Sequence, residues 1–360
     1  MRKFELQLID VLRIQSYSGD FKHMSKFICK KIEKLGLTYT KDKMGNIYVT
    51  KGEGDVYPTM VCHIDTVHLF SPFYQVHQAG RNIFAVNKIN CDKMGVGGDD
   101  KVGVFMTLKM LEDREVFKAA FFVDEEIGCV GSRACNFEFF NDSAFVLECD
   151  RKGSDDFVNS ISGTKLYSRE FSEALSPILH TYGRKEVTGG MTDVLEIAYK
   201  TKICVANMSC GYYNPHSDDE FVNIDDVFAT YQMCHEIYDS LGFDLWRVTE
   251  DRNEYDYYSG YGGYGDYKKY GGGATYANTY GKRSQSYLPA KEDDFDFDEW
   301  NQSFGVTPER DLEFAGDTLE CAYCGSLHTD FDLYDRDVYC HSCGGFMTEN
   351  EYLNFIEELK

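Results

Sequence analysis

Runs of apolar residues that end in a polar group alternate with amphipathic runs of helical period over the first two thirds of the chain. The apolar runs predict strands over GNIYVTK, YPTMVCH, KAAFFVD, SAFVLECD and KICVANM. The amphipathic runs predict helices over FELQLIDVLRI, DFKHMSKFICKKIEKL, KVGVFMTLKMLED and VFATYQMCHEIYDSLG. The unbroken apolar character of FFV, FVL and ICV is typical of central strands that are covered on both faces. This alternation predicts an α/β domain over residues 1–245.

Polar side chains that suit metal binding follow several of the predicted strands. His63 and Asp65 come at the end of the second strand, two residues apart, a spacing that places both on one face. Similar groups recur at four further points: Asp99 and Asp100 in GVGGDDKVG, Glu125 and Glu126 in FFVDEEIG, Asp150 in FVLECD, and His216 in NPHSDDEFV. The carboxyl ends of strands form the ligand crevice of open α/β sheets, so these groups are expected to converge there.

So many converging carboxylates require a cation. Imidazole and carboxylate together suit zinc, with cobalt or manganese as possible substitutes. The set is larger than one four-coordinate zinc needs. We therefore predict two catalytic Zn²⁺ ions, about 3.5 to 4 Å apart and bridged by one carboxylate and a water.

The ordered motifs HID, GDDKVG, DEEIG, ECD and NPHS resemble those of the co-catalytic dizinc exopeptidase clan, which includes peptidase T, glutamate carboxypeptidase and the bacterial leucyl aminopeptidases. The resemblance covers about residues 1 to 240. It implies a three-layer sandwich around a mostly parallel central sheet and a metallopeptidase that acts as an exopeptidase. By this likeness His63 and Asp150 hold one metal ion, Glu126 and His216 hold the other, and Asp99 bridges both.

The same resemblance implies roles for residues that do not bind the metals. Asp65 would accept the second ring N–H of His63 and so fix its tautomer. Glu125 would be the general base, taking a proton from the metal-bridging water and returning it to the leaving amine. The family pattern D-x-K-x-G aligns with Asp99, which leaves Asp100 to support the turn.

A segment further along, TGGMTDVLEI, resembles the one that lines the substrate cleft in these enzymes. Gly190, Thr192 and Asp193 are its candidate substrate-binding residues. A turn in which Thr192 or Asp193 caps the following helix explains the segment equally well.

The chain departs from the resemblance between Asp150 and His216. Peptidase T carries a dimerisation domain of about 100 residues there, large enough to fold independently, whereas this chain has room for 65 residues. We therefore expect that the insert is absent or vestigial. Four residues, His180, Tyr182, Tyr212 and Tyr213, remain candidates for the donor that stabilises the oxyanion.

Analogy with compact single-domain enzymes favours an aminopeptidase on short peptides. An N-acyl amino acid deacylase or amidase with the same dizinc chemistry is the alternative. A non-catalytic interaction protein is a third possibility.

Charge and cysteine content limit the partners and the cellular compartment that the sequence predicts. Asp and Glu number 60 against 37 Lys and Arg, a net charge of −23, which disfavours binding to nucleic acid and to anionic membranes. The sequence contains no run of about 18 apolar residues, and its start, MRKFELQLIDVLRI, has acidic residues where a signal peptide is apolar. Of 13 cysteines, nine are scattered among apolar residues and are expected to be reduced core thiols. These features predict a cytoplasmic protein.

The remaining third of the chain has a different composition. Residues 246–317 are rich in Gly and Tyr and then in acidic residues, which predicts a flexible linker. Residues 318–360 contain CAYC and CHSC with 15 residues between them. This spacing predicts a zinc ribbon in which Cys321, Cys324, Cys340 and Cys343 hold one structural Zn²⁺. Its acidic surroundings favour a protein partner for the ribbon.

Overall fold

The computed structural model describes residues 2–249 and three short strands near the C-terminus, at 329–332, 337–340 and 346–348. These residues fall into two separate units, of which the first contains residues 2–249 and the second contains the three strands.

The first unit alternates helices and strands along the chain, as the hydrophobic pattern predicts. Its helices are α1 Arg2–Leu12, α2 Lys22–Lys34, α3 Gly98–Asp113, α4 Val130–Arg133, α5 Arg169–Thr181, α6 Asp193–Lys200 and α7 Ile224–Leu241, with a 3-10 helix at Phe137–Phe140. Its strands are β1 Thr40–Lys41, β2 Ile47–Lys51, β3 Tyr57–His63, β4 Tyr74–Ala79, β5 Asn82–Asn87, β6 Lys93–Met94, β7 Phe117–Phe122, β8 Ser143–Arg151, β9 Asp156–Ile161, β10 Thr164–Lys165, β11 Lys185–Gly189, β12 Val205–Ser209, β13 Tyr212–Tyr213 and β14 Phe221–Asn223. All five predicted strands and all four predicted helices are confirmed.

The main sheet has nine strands, with the order β1-β2-β7-β3-β8-β12-β9-β10 and with β11 paired to β9. Its centre is parallel, because β3 pairs in parallel with β7 and β8, and β8 pairs in parallel with β12. Antiparallel strands flank this centre on both sides. The prediction of a mostly parallel central sheet is confirmed.

Both faces of the central strands are covered. Every residue of β3 and of β7 is buried, although alternate side chains of a strand point to opposite faces. Helix α3 lies against β3, β7 and β8, and α6 lies against β3, β8 and β12. The domain is therefore the expected three-layer sandwich, and its central strands are as apolar as two-sided burial requires.

A second, smaller sheet contributes part of the candidate site. It pairs β13, β14, β5 and β4 in that order, with β6 added to β5. Strands β13 and β14 form a hairpin, and the connection between them, residues 214–220, contains His216.

The segment between Asp150 and His216 adds to the main sheet. Strand β9 pairs with β12, β10 and β11. Helix α5 lies in the chain between β10 and β11. Backbone hydrogen bonds of this unit continue to Val248, whose N–H donates to the main-chain carbonyl of Lys202 at 2.7 Å.

Eight of the nine cysteines in residues 2–249 are buried. The expectation of nine core thiols is wrong for Cys91, which is exposed because it lies in the turn that connects β5 to β6. No helix among the described residues is long and apolar enough to cross a membrane.

The second unit is an antiparallel sheet of β15 Thr329–Asp332, β16 Asp337–Cys340 and β17 Phe346–Thr348, in that order. Cys340 is the last residue of β16. Cys321, Cys324, Cys343 and linker residues 250–317 lie outside the described part of the chain.

Tyr238 of α7 connects the helix layer to the sheet and supplies a test of the core. Its ring stacks on Phe145 and meets the edge of Phe117, and its hydroxyl donates to the Thr59 carbonyl at 2.9 Å.

We expect Tyr238→Ala to lower the free energy of unfolding by about 3 to 5 kcal/mol, because it leaves an aromatic-sized cavity. Tyr238→Phe, which removes the hydroxyl alone, should cost about 1 kcal/mol. Urea unfolding followed by far-UV circular dichroism measures both values, and equal losses would contradict the packing argument.

Candidate metal centre

The topology of the main sheet brings the predicted ligands to one edge. The neighbouring parallel strands β7, β3, β8 and β12 all point the same way, so their carboxyl ends lie side by side. His63 ends β3, Asp150 lies next to the end of β8, and Glu125 and Glu126 follow β7. His216 reaches the same edge from the hairpin of the smaller sheet.

Asp99 stands between the two histidines. Its Oδ1 lies 3.3 Å from His63 Nε2, and its Oδ2 lies 3.3 Å from His216 Nε2. One carboxylate thus presents one oxygen to each imidazole, the arrangement that a bridging ligand of two metal ions requires.

Each histidine has a further carboxylate beside it. Asp150 Oδ1 lies 3.7 Å from His63 Nε2, and Glu126 Oε2 lies 3.0 Å from His216 Nε2. These are the two pairs that the sequence resemblance implies for the two ions. The structure brings all five predicted ligands together.

Two buried atoms test whether the group fits metal ions. His63 Nε2 and Glu126 Oε1 are inaccessible to solvent, and within the described part of the chain neither makes a hydrogen bond. Buried polar atoms are otherwise almost always paired. His63, Asp99 and Glu126 each offer an atom within 4.8 Å of the other two. A bound cation would satisfy these atoms, so the residues present fit the predicted metals.

Asp100 is the other carboxylate near His63, since His63, Asp100 and Asp150 also form a group of metal-binding size. Its two oxygens are already engaged. Oδ1 accepts from the Gly103 N–H at 2.9 Å, and Oδ2 accepts from the His63 N–H at 3.2 Å. Asp99 and Asp100 have non-helical backbone angles, so the regular part of α3 begins after them. The bond from the Gly103 N–H to Asp100, three residues earlier, is that of a side chain that caps a helix start. This supports Asp99 rather than Asp100 as the ligand.

The orientation of His63 is set by Asp65, through a different atom from the one expected. His63 Nδ1 lies 2.9 Å from the main-chain carbonyl of Asp65 and 3.5 Å from its carboxylate. Because a carbonyl oxygen accepts, Nδ1 carries the proton, and Nε2 is the atom left for a metal.

The Asp65 carboxylate instead binds the backbone of the segment that contains Glu125 and Glu126. It accepts from the Glu125 N–H at 3.0 Å, the Glu126 N–H at 3.4 Å and the Ser18 hydroxyl at 2.7 Å. The Asp65 pKa lies below its usual range: burial opposes ionisation, but the nearby His63 and the Ser18 and Glu125 donors outweigh it. A single residue therefore positions both a predicted ligand and the predicted base.

Glu125 lies beside the predicted ligands, farther from the histidine nitrogen than they are. Its Oε2 is 3.9 Å from His63 Nε2, and its Oε1 accepts from the Cys129 thiol at 3.4 Å. Burial raises the pKa of Glu125 well above its ordinary value, and neighbouring carboxylates add to the effect. Burial thus makes the Glu125 carboxylate a stronger base, which can accept a proton where neighbouring cations keep it ionised.

The TGGMTD segment meets the centre through Thr192. The Thr192 hydroxyl contacts both Glu148 and Asp150, and it does not cap α6, although it is the residue that precedes the helix. Thr192 and Asp193 are buried, whereas Gly190 is exposed. A direct contact of these three residues with substrate stays a prediction.

Among the four candidate oxyanion donors, Tyr212 contacts a predicted ligand. Its hydroxyl donates to Asp150 Oδ1 at 3.0 Å, while Tyr213 donates to Asp226. Burial raises the pKa of Tyr212 well above its ordinary value, so its hydroxyl keeps the proton that it donates. His180 lies in the last turn of α5, and Tyr182 follows that helix.

Sequence reasoning missed Glu148 and Glu220. Glu148 is buried and accepts from Thr192. The period of two along β8 could have indicated it, because it lies two residues before Asp150 and so on the same face. Glu220, buried in the His216 connection, accepts from backbone N–H groups of the Asp99 turn, and no spacing rule indicates such a contact.

Solved structures show the same architecture. Aminopeptidase PepT from Bacillus cereus aligns over 67% of this chain and 99% of its own, with TM-score 0.56 and 14% identity. A tripeptidase from Staphylococcus aureus aligns over 66% and 97%, with TM-score 0.53 and 14% identity. An aminopeptidase from the archaeon Desulfurococcus kamchatkensis aligns over 68% and 95%, with TM-score 0.52 and 14% identity.

The chain has the fold of these peptidases. It is the zinc exopeptidase-like fold that the order of the five motifs indicates. No protein-family model matches the chain, and a search of curated proteins gives no match. At such low identity the likeness concerns the fold, so the chemistry must be argued from the residues themselves.

Metal binding at this centre should release protons. Asp99 and Glu126 raise the pKa of His216 to about 11, so this imidazole is protonated at neutral pH in the metal-free chain. A metal ion binds the neutral imidazole, so binding expels that proton and the apparent zinc affinity should rise with pH. Zinc binding to the four thiols near the C-terminus would also release protons, so calorimetry at pH 7 in two buffers of different ionisation enthalpy compares the wild type with His216→Ala. We expect the wild type to release at least one proton more. His77→Ala, at a ring that stacks on Phe84, is the matched control. Equal proton release by the wild type and His216→Ala would contradict the prediction.

Proposed function

We propose that this chain is a dizinc exopeptidase, and specifically an aminopeptidase that acts on short peptides. The observation that carries the proposal is the position of Asp99, with one oxygen toward each of two histidines and with Glu125 beside the group. The residues that would hold the two ions are His63, Asp99, Glu126, Asp150 and His216.

Two divalent ions at this position would polarise the scissile carbonyl and acidify the attacking water. Glu125 would accept the proton from that water and return it to the departing amine. Asp65 serves this step because it holds the Glu125 backbone. Tyr212 has the best support among the oxyanion donors because it lies at the edge of the ligand set, and it would turn its O–H from Asp150 to the oxyanion.

The choice of an aminopeptidase rests on analogy with enzymes of the same fold. Four carboxylates, Asp99, Glu125, Glu126 and Asp150, lie at the centre, and two divalent ions would balance their charge, so charge alone does not select a free amino end. The solved structures with this fold include proteins named as aminopeptidases and a tripeptidase, which agrees with this choice.

We further propose that the C-terminal unit is a zinc ribbon that binds a protein partner in the cytoplasm. The support is the C-x2-C-x15-C-x2-C spacing and its four thiols, which a reducing compartment keeps available.

The test of the base is Glu125→Gln, which removes proton acceptance while it keeps shape. We expect a fall in kcat of about 10² to 10⁴ on an unblocked tripeptide such as Leu-Gly-Gly, with zinc content unchanged. Glu112→Gln, on the surface of α3, is the matched control and should keep wild-type turnover.

Retained turnover in Glu125→Gln would remove Glu125 from this role. N-acetylated Leu-Gly-Gly should resist the wild-type enzyme if the amino end is recognised. Cleavage of N-acyl compounds alone would point to a deacylase.

The metal count separates the two proposed zinc sites. Elemental mass spectrometry of the full chain should find three zinc ions. Cys321→Ala with Cys324→Ala should leave two, because the ribbon cannot close a tetrahedral site with the remaining two thiols. His63→Ala with His216→Ala should leave one. A full chain with a single zinc that the cysteine variant loses would contradict the dizinc centre.

A further inference from the structure

Glu220 connects three segments that carry predicted ligands. It lies four residues after His216, and its side chain is fully buried. Its Oε2 accepts from the Gly97 N–H at 2.6 Å and lies 2.9 Å from His68 Nε2. Its Oε1 accepts from the Asp99 N–H at 3.1 Å. The segment of His216, the turn of Asp99 and the segment that follows His63 thus meet at one carboxylate.

The turn before Asp99 is shaped to fit His68 and Glu220. A Cβ at Gly95 would lie 1.9 Å from Cε1 of His68, so the imidazole occupies the space of a side chain. A Cβ at Gly98 would lie 2.6 Å from Tyr212 Cβ and 3.4 Å from Glu220 Oε1. These glycines allow the backbone to approach the His68–Glu220 pair closely enough for its N–H groups to donate.

The regular hydrogen bonds of α3 do not fix the conformation of Asp99. Both Asp99 and Asp100 have non-helical backbone angles, and the Asp99 N–H donates to Glu220. Asp99 must nevertheless present one oxygen to each histidine at once, which a small rotation of its backbone would prevent. The hydrogen bond from the Asp99 N–H to Glu220 opposes such a rotation.

We propose that Glu220, held in place by His68, is a positioning residue that sets Asp99 between the two metal ions and thereby determines whether both ions bind. This inference rests on the proposed dizinc function and names a residue that does not touch the metals. Loss of Glu220 would leave the Gly97 and Asp99 N–H groups without their acceptor, and Asp99 would turn toward one histidine. Outer partners of metal ligands are generally worth 10- to 100-fold in metal affinity.

The experiment measures metal binding in the full chain. Metal-free Glu220→Ala and wild-type protein are equilibrated across a series of zinc buffers, and bound zinc is counted by elemental mass spectrometry. We expect one zinc of the variant to bind at least 10-fold more weakly, while the others are retained. In the cobalt-loaded protein, electron paramagnetic resonance should show two coupled ions in wild type and uncoupled ions in the variant.

Two further variants separate positioning from folding. Asp42→Ala is the matched control, because Asp42 also organises a turn by accepting from three backbone N–H groups, those of Met44, Gly45 and Asn46. It should lower the melting temperature and leave both catalytic metals in place. Glu220→Gln keeps the shape and one acceptor oxygen, so it should give an intermediate affinity, and it replaces the alanine variant if that chain does not fold.

The outcomes distinguish the inference from the function on which it rests. Wild-type zinc affinity and intact cobalt coupling in both Glu220 variants would overturn the inference and leave the dizinc function standing. A wild-type chain that binds no zinc beyond the ribbon would overturn the proposed function itself. Equal loss of metal in Asp42→Ala would show that general destabilisation, rather than positioning, causes the effect.

Discussion

The candidate site depends on one two-sided contact, the Asp99 carboxylate between the imidazoles of His63 and His216. Like charges cannot be gathered at such a point without a counter-charge, and several carboxylates lie within reach of the same two rings. The groups come from different elements: strand ends, the start of a helix and a hairpin connection. Backbone donors then satisfy the carboxylates that do not face the centre, as in Asp65 and Asp100.

The sheet explains why residues so distant in sequence share one place. Strands β7, β3, β8 and β12 are buried on both faces, so neither their register nor their direction can shift without exposing the core. Each strand delivers the residues at its carboxyl end to the same edge. A ligand position is therefore fixed by the packing of apolar residues behind it, and the chemistry at the edge can be read as a consequence of the core.

Much of the fold and of the candidate site was predictable from the sequence, because short segments of the chain determine them. Apolar runs located the central strands, and the ordered motifs near their ends, through the family resemblance that they carry, indicated the five predicted ligands. The Asp65 contact was only partly predictable: residue spacing places it beside His63, but the choice between its carbonyl and its carboxylate depends on the curve of the chain after β3. Glu220 was not predictable, since its partners are backbone groups more than a hundred residues away. Glu148 was accessible to a period-two argument along β8 that a search for strand-end residues overlooks.

The two histidines of the centre differ in their access to water. The His63 side chain is completely enclosed, whereas half of the His216 side chain is exposed. His216 also comes from the hairpin of the smaller sheet, while His63 ends a strand in the middle of the larger one. An ion bound on the His216 side would have a route to solvent after a local movement of one connection, whereas an ion bound on the His63 side would be enclosed by the sheet edge. The two sides of the ligand set would then differ in kinetics, with one rapidly exchanging ion and one long-lived ion.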